Sequence, residues 1–373
     1  MATKGYAASD VAKTYTRARE LCQQVGETPQ LFPVLRGLWA FYHIRAELMT
    51  ARELGEQCLT LAQRMQDSAL LAEAHYALGA TSFYLGEAIS ARAHTEQGIA
   101  LYDLQQHRSH VFLYGHDPGV ACLSYAAPAL WTLGYPDQAL KRSHQALALA
   151  QELSHPNSLA FALSFAASLH FMRREGQLAQ EHTEALITLS TEQGFPHWLA
   201  LGIIQRGLAL VQQGQAKEGI TQMRQGLDAD RATGAELPRA GVLPGLAWAY
   251  RQAGQVEEGL RVVAEAFAEM DKTGAHISEV GLYVAKGWLL LALSAENYAE
   301  TEACLQRAIA IARRQQAKSL ELRAVMSLAR LWQQQGKKEE ARQMLAEIYG
   351  WFTEGFDTAD LKEAKALLEE LRH

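Results

Sequence analysis

Cysteine is scarce and scattered in this chain of 373 residues: Cys22, Cys58, Cys122 and Cys304 stand far apart, with no C-x-x-C pair and no histidine at zinc-ligand spacing beside them. A disulfide framework and a zinc knuckle are thereby excluded, and the four read as reduced core thiols. A basic balance is also missing. Lys and Arg number 35 against 41 Asp and Glu, and the net charge of -6 opposes unspecific attraction to nucleic acid or anionic membrane. No run of about 18 uncharged apolar residues occurs, and no charged n-region followed by an apolar h-region opens the chain. No membrane association is expected, and the compartment is expected to be the cytoplasm.

Signatures of chemistry are absent as well. There is no nucleophile elbow, no H-E-x-x-H and no paired-carboxylate motif. Gly214-Gln-Ala-Lys-Glu-Gly219 and Gly254-Gln-Val-Glu-Glu-Gly259 imitate the start of a phosphate-binding loop. Ile220-Thr221 and Leu260-Arg261 follow them, where that loop needs Lys and then Ser or Thr. The expectation is a protein that is not an enzyme and holds no cofactor.

What the sequence does have is a period. Apolar residues make up 49% of it, ample for a large core. Glycines fall in short polar turns at Gly86, Gly134, Gly176, Gly214, Gly254 and Gly336, at intervals of 48, 42, 38, 40 and 82. Pro118, Pro156, Pro196 and Pro238 are spaced by 38, 40 and 42 residues. Each precedes a glycine by about one helix length, and proline is tolerated in a helix's first turn. From Pro136 to Leu153, Ala139, Leu140, Ser143, Ala146, Leu147, Ala150 and Leu153 form one helical stripe, with Gln138, Lys141, Arg142, Gln145 and Glu152 opposite. A hairpin with one such stripe buries it only against neighbours, so the array grows in one dimension. The predicted fold is an all-α, right-handed solenoid of about eight helical hairpins, taken as one domain over 1–373. It comprises an N-terminal helix within 1–28, repeats over 29–353 with a long linker at 103–117, and a capping helix within 354–373.

Leu78-Gly79, Gly86, Ala91 and Gly98 follow the order of the tetratricopeptide consensus, and the offsets recur from Ala127, Gly207 and Ala247. The chain thus resembles tetratricopeptide repeat proteins, although its period near 40 exceeds the family's 34 and the pair around Gly176 fits poorly. Tyr15-Thr-Arg-Ala-Arg-Glu-Leu-Cys22, Phe112-Leu-Tyr-Gly-His-Asp-Pro-Gly-Val120, Gly134-Tyr-Pro-Asp-Gln-Ala139 and Trp351-Phe-Thr-Glu-Gly-Phe-Asp357 also resemble the C-terminal repeat region of bacterial regulators that join a nucleotide cyclase to an AAA-type ATPase. Such regions are similar to MalT-type sensor arrays. The resemblance implies a sensor or protein-interaction arm, excised or separately encoded, for an attached or partner ATPase or cyclase. A peptide or small-molecule ligand fits the same expectation.

In tetratricopeptide arrays the first helix of each hairpin lines the concave face. The consensus offsets put Glu73, Tyr76, Phe83, Tyr84, Trp131, Trp248, Arg251, Trp288, Arg323 and Arg330 there, with Arg36 and His43 as further candidates. Trp and Arg are enriched at binding hot spots, but Trp at helical spacing more often packs a core. A freestanding scaffold gripping a peptide through the C-terminal arginines is the alternative. Pro128 and Pro244 fall inside inner helices, where they bend the backbone. His107, His110, His116 and Asp117 form the one local histidine cluster, and their linker reads as an exposed loop without a metal, or else as one that folds over the groove.

Overall fold

The computed structural model describes residues 30–107 and 109–372, together with Lys13, Thr14, Arg17, Ala18 and Glu20. Most of the N-terminal helix expected within 1–28 lies outside the described residues. Among the described residues there are eight hairpins and no strand. The first is α1 (Leu31–Ile44) with α2 (Leu48–Met65), and the second α3 (Ser68–Tyr84) with α4 (Ala88–Leu101). Two short helices follow, α5 (Leu104–His107) and α6 (His110–Tyr114). The third to fifth hairpins are α7 (Pro118–Thr132) with α8 (Pro136–Leu153), α9 (Pro156–Met172) with α10 (Gly176–Gln193), and α11 (Pro196–Gln212) with α12 (Ala216–Ala232). The last three are α13 (Leu237–Gln252) with α14 (Val256–Thr273), α15 (Glu279–Leu293) with α16 (Tyr298–Arg314), and α17 (Lys318–Gln334) with α18 (Lys338–Tyr349). A final helix, α19 (Ala359–Glu370), covers the last hairpin and contributes Leu361, Ala364 and Leu367 to its core.

The punctuation works as its chemistry dictates, with one correction. Pro118, Pro136, Pro156 and Pro196 each open a helix, and Pro238 is the second residue of α13. Gly86, Gly134, Gly214, Gly254 and Gly336 take positive φ in the turns, a region open to glycine at little cost. Gly176 does not. It is the first residue of α10, and the left-handed position falls on Arg174, at φ 65°. With Arg174 in place of Gly176, the turns on either side lie 40 residues away, so the repeat is more regular than its glycines. Small residues set the closeness of a hairpin: a Cβ on Gly207 would stand 2.7 Å from the Gly219 carbonyl oxygen.

The solenoid coils back on itself. The Glu236 amide donates to the Ile44 carbonyl at 3.0 Å, while Ala46, Leu237 and Ala275 share one small buried cluster. The Ser319 hydroxyl donates to the Trp131 carbonyl at 2.6 Å across 188 residues, and the Asp137 amide donates to Glu354 at 2.9 Å. Repeats of about 40 residues that meet themselves after about 190 make a superhelical turn of roughly five hairpins. The inner helices of the first six hairpins therefore surround a common axis.

The 103–117 linker is not an exposed loop. His107 and Asp117 are wholly buried, and His110 and His116 nearly so. Asp117 caps α7 by accepting from the Val120 amide at 2.9 Å and also accepts from the Tyr102 hydroxyl at 3.0 Å. His110 Nδ1 lies 3.1 Å from Glu73 Oε1. Those partners lie up to 37 residues away in sequence, which is why a polar composition sits inside. Cys58, Cys122 and Cys304 are buried free thiols. Among the described residues no helix is long and apolar enough to cross a membrane.

Candidate functional site

Inside the first superhelical turn lies a cavity of about 260 Å³, walled by α1, α3, α7, α9, α11, α13 and the 3-10 turn at His276–Ser278. Its lining follows from the repeat. His43, Tyr84, Tyr125, Phe165 and Gln205 sit 41, 41, 40 and 40 residues apart, one from each inner helix in succession, and all face the cavity. One helical turn earlier, Trp39, Phe161, Leu201 and Gly241 hold a second position, from α1, α9, α11 and α13, to which α3 and α7 contribute no lining residue. A repeat of 40 residues thus stacks two positions, four apart, into a ring and a partial second ring around the axis.

The rings interlock. Trp39 stacks on His43 at 4.8 Å, Tyr84 meets both His43 and Tyr125 edge-on, and Phe161 and Phe165 stack at 4.9 Å with 7° between their planes. Edge-to-face and offset geometries of this kind add to the burial itself. Burial raises the Tyr84 phenol to about 12 and Tyr125 well above its ordinary value, so both stay neutral. Pro128, inside α7, is also part of the wall. No Lys, Arg, Asp or Glu lines the cavity among the described residues.

A buried ionic layer backs this wall. Arg36 Nε donates to Glu73 at 3.1 Å, and both side chains are 1% exposed. The Arg36 guanidinium lies 4.3 Å from the Trp39 ring centre and 4.9 Å from that of Tyr76. Burial disfavours the Arg36 charge, yet the neighbouring carboxylate prevails and holds it above its ordinary range. Burial pushes Glu73 upward, but Arg36 and then His110 bring it below the usual carboxylate range. His43 and His116 are driven down to about 3, first by burial and then by the Arg36 charge, and are neutral. His116 stacks on Phe161 at 5.2 Å and joins the wall, so the linker supplies one lining residue.

Two lining side chains have unmet hydrogen bonds. His43 is 5% exposed, and neither of its ring nitrogens has a partner among the described residues. Gln205 Nε2 donates to the Ser164 carbonyl at 2.9 Å and lies 2.9 Å from the Ser168 hydroxyl. A carbonyl only accepts, so the amide nitrogen must face it, which leaves Oε1 as a buried acceptor with no partner among the described residues.

The expected concave-face residues do not form one surface. Tyr76, Phe83, Tyr84 and His43 line the cavity. Glu73 and Arg36 lie behind it as the ion pair, unavailable to a ligand. Trp131 is buried under the Arg323 guanidinium, 4.7 Å from its ring centre. Arg323 itself bonds Asp360 at 2.8 Å and the Met172 carbonyl, and Arg330 bonds Glu363. Glu363 of the capping helix faces Arg174 and Arg330. Arg251 covers Trp288 at 5.3 Å, and Trp248 packs against the core of the fifth and sixth hairpins. Trp39, Tyr125, Phe161, Phe165, Trp198 and Gln205 were not among the expected residues. The 40-residue spacing back from Phe165 and onward to Gln205 is the signal that finds the ring. No group of three or more His, Cys, Asp or Glu able to hold a metal occurs among the described residues.

The architecture is a tetratricopeptide-like all-α solenoid. It is similar to a Rap protein complexed with Competence and Sporulation Factor, with 12% identity, a TM-score of 0.63, and coverage of 97% of this chain and 95% of that one. The Rap conjugation gene regulator of plasmid pLS20, in complex with the Phr* peptide, matches at 10% identity and TM-score 0.56, over 91% of this chain and 96% of that one. Aspartyl phosphate phosphatase F from Bacillus subtilis matches at 11% identity and TM-score 0.50, over 91% and 88%. At such identities the likeness is one of fold alone. No family model and no curated protein sequence matches the chain.

Proposed function

We propose that this chain is a non-catalytic sensor and interaction module that takes its ligand in the chamber of the first superhelical turn and regulates a protein partner. The observation that carries it is His43: a buried imidazole with two unmet hydrogen bonds, facing an aromatic cavity. An unpaired buried polar group costs about 1–3 kcal/mol, and such costs persist at sites that a ligand completes. The lining offers aromatic faces, phenols and the neutral imidazoles of His43 and His116, while its third imidazole, His197, is bonded to Asp230 at 2.7 Å, a composition that suits binding. Two structures of similar fold are complexes, one with Competence and Sporulation Factor and one with the Phr* peptide, which agrees with a binding role.

Coupling to a partner follows from where the chamber sits. Ile44 and Leu237, which line it, belong to the contact where the first hairpin meets the sixth. A ligand there favours the closed pitch by its differential affinity for the two shapes. The resemblance to repeat arms of cyclase–ATPase regulators makes a nucleotide-hydrolysing or cyclase domain, attached or separate, the partner we favour. The peptide-scaffold alternative is weaker, because Arg323 and Arg330 are already engaged by Asp360 and Glu363.

Gly241 supplies the test. A Cβ built on it meets no other atom within 4 Å, so Gly241→Trp puts an indole into the chamber without disturbing backbone. Small molecules and peptides that raise the melting temperature of the natural chain are expected to lose that effect in this variant. Ligands should also change the radius of gyration in small-angle scattering. Ligands that stabilise both forms equally would remove the chamber from the mechanism.

A further inference from the structure

The chamber's polar demand identifies a class of ligand, an inference that rests on the chamber being the binding site. His43 is neutral, so one ring nitrogen donates and the other accepts, and Gln205 Oε1 accepts. Between these two, in the same repeat position, stand only Tyr84, Tyr125 and Phe165. The unmet hydrogen bonds of these two side chains therefore ask for one acceptor and one or two donors.

A charged ligand finds no Lys, Arg, Asp or Glu among the described lining residues; His197 in the wall is already bonded to Asp230 at 2.7 Å, and Arg36 behind the wall is committed to Glu73. Burying an unpaired charge is prohibitive next to burying a neutral ring. A peptide brings an N–H and a C=O with every residue, and most would go unpaired against this lining. Size narrows the class further. A cavity of about 150 Å³ accepts one benzene ring, so about 260 Å³ admits two fused rings.

We propose that the chamber binds an uncharged, planar, two-ring aromatic molecule carrying an N–H or O–H donor beside a carbonyl or ring-nitrogen acceptor, stacked among the rings and hydrogen-bonded by His43 and Gln205.

The probes are the lactam 2-quinolone, its charged two-ring relative quinoline-2-carboxylate, and an uncharged, capped apolar hexapeptide. Each is titrated calorimetrically into the full chain and into Gly241→Trp and His43→Phe, whose melting temperatures report that they fold. His43→Phe keeps a ring on Trp39 and removes both nitrogens. The lactam is expected to bind one to one, at least tenfold more tightly than the carboxylate. Gly241→Trp should weaken it tenfold or more, and His43→Phe roughly fivefold to tenfold, the loss of about one hydrogen bond. Carboxylate binding equal to the lactam's, lactam binding unmoved by His43→Phe, or no lactam binding to the natural chain overturns the ligand class. If the hexapeptide binds instead and Gly241→Trp abolishes it, the class falls while the chamber stands as the site. Lactam or peptide binding indifferent to Gly241→Trp overturns both.

Discussion

The inner faces of the first and last superhelical turns come from the same helices of the same repeat, yet they have opposite chemistry. In the first, Trp39, Tyr84, Tyr125 and Phe165 leave a neutral space between them, and the charges of Arg36 and Glu73 are sealed behind it. In the last, Arg323 and Arg330 stand on the inner face, but the capping helix fills that space and answers them with Asp360 and Glu363. Residue type alone does not mark a site. What separates His43 from Arg323 is whether the polar atoms are already satisfied: His43 has no hydrogen-bond partner among the described residues, whereas Arg323 has a carboxylate, a carbonyl and an indole face.

If the first turn is held by sealed charge, removing half of that charge should have the largest effect on the molecule. Glu73→Ala strands Arg36 with no carboxylate and removes the partner of His110. The expected loss is about 3–5 kcal/mol, the range for breaking a buried pair from one side. Urea denaturation measures it. A loss below about 1 kcal/mol would mean that the ion pair is no more than a surface pair in effect, and the contrast between the turns would collapse.

Acid should act next, and on the first turn. His43 and His116 titrate near 3 when folded and near 6.5 when unfolded, so the unfolded chain binds more protons between those values. Stability from these groups is complete above pH 6.5 and is lost as pH falls toward 3. Each can contribute up to about 1.4 kcal/mol per pH unit. Because both share Arg36, with Glu73 and His155 also facing His116, a combined loss of roughly 2–4 kcal/mol from pH 7 to pH 5 is expected. Melting temperatures across that range check it, and His43→Phe should flatten the slope. An unchanged slope in that variant would place the acid sensitivity elsewhere.

The fold was legible because its cause is local and repeated. Prolines at helix starts, small residues at close approaches and a stripe in each helix sufficed for eight hairpins. Gly176 misled because a turn needs a left-handed residue and not glycine as such, and Arg174 serves. The chamber lining was half legible. Tyr76, Phe83 and Tyr84 followed from consensus offsets, whereas Tyr125, Phe165 and Gln205 occupy the same register as Tyr84 one, two and three inner helices on and needed the true period of 40. The partners of His110, Arg323 and Arg330 come from elements 33 to 37 residues distant, so nothing near them in sequence announces that they are taken.

The last turn should respond least, and unevenly. Arg323→Ala removes a charge-assisted bond to Asp360, a bond to the Met172 carbonyl across the coil, and the cover of Trp131. A charged hydrogen bond plus a partly shielded cation–π contact is worth about 1–3 kcal/mol. Arg330 has 42% of its side chain exposed and among the described residues pairs with Glu363, which also binds Arg174, so Arg330→Ala is expected to cost less than about 1 kcal/mol. Salt separates the two further. Raising ionic strength to about 1 M shortens the screening length to about 3 Å, which should erase the Arg330 contribution and leave most of that of Arg323. Equal costs, equally salt-sensitive, would mean that the cap and the last turn act as one cooperative ionic network. The last turn would then resemble the first in being held by charge, and would differ only in having no space left for a ligand.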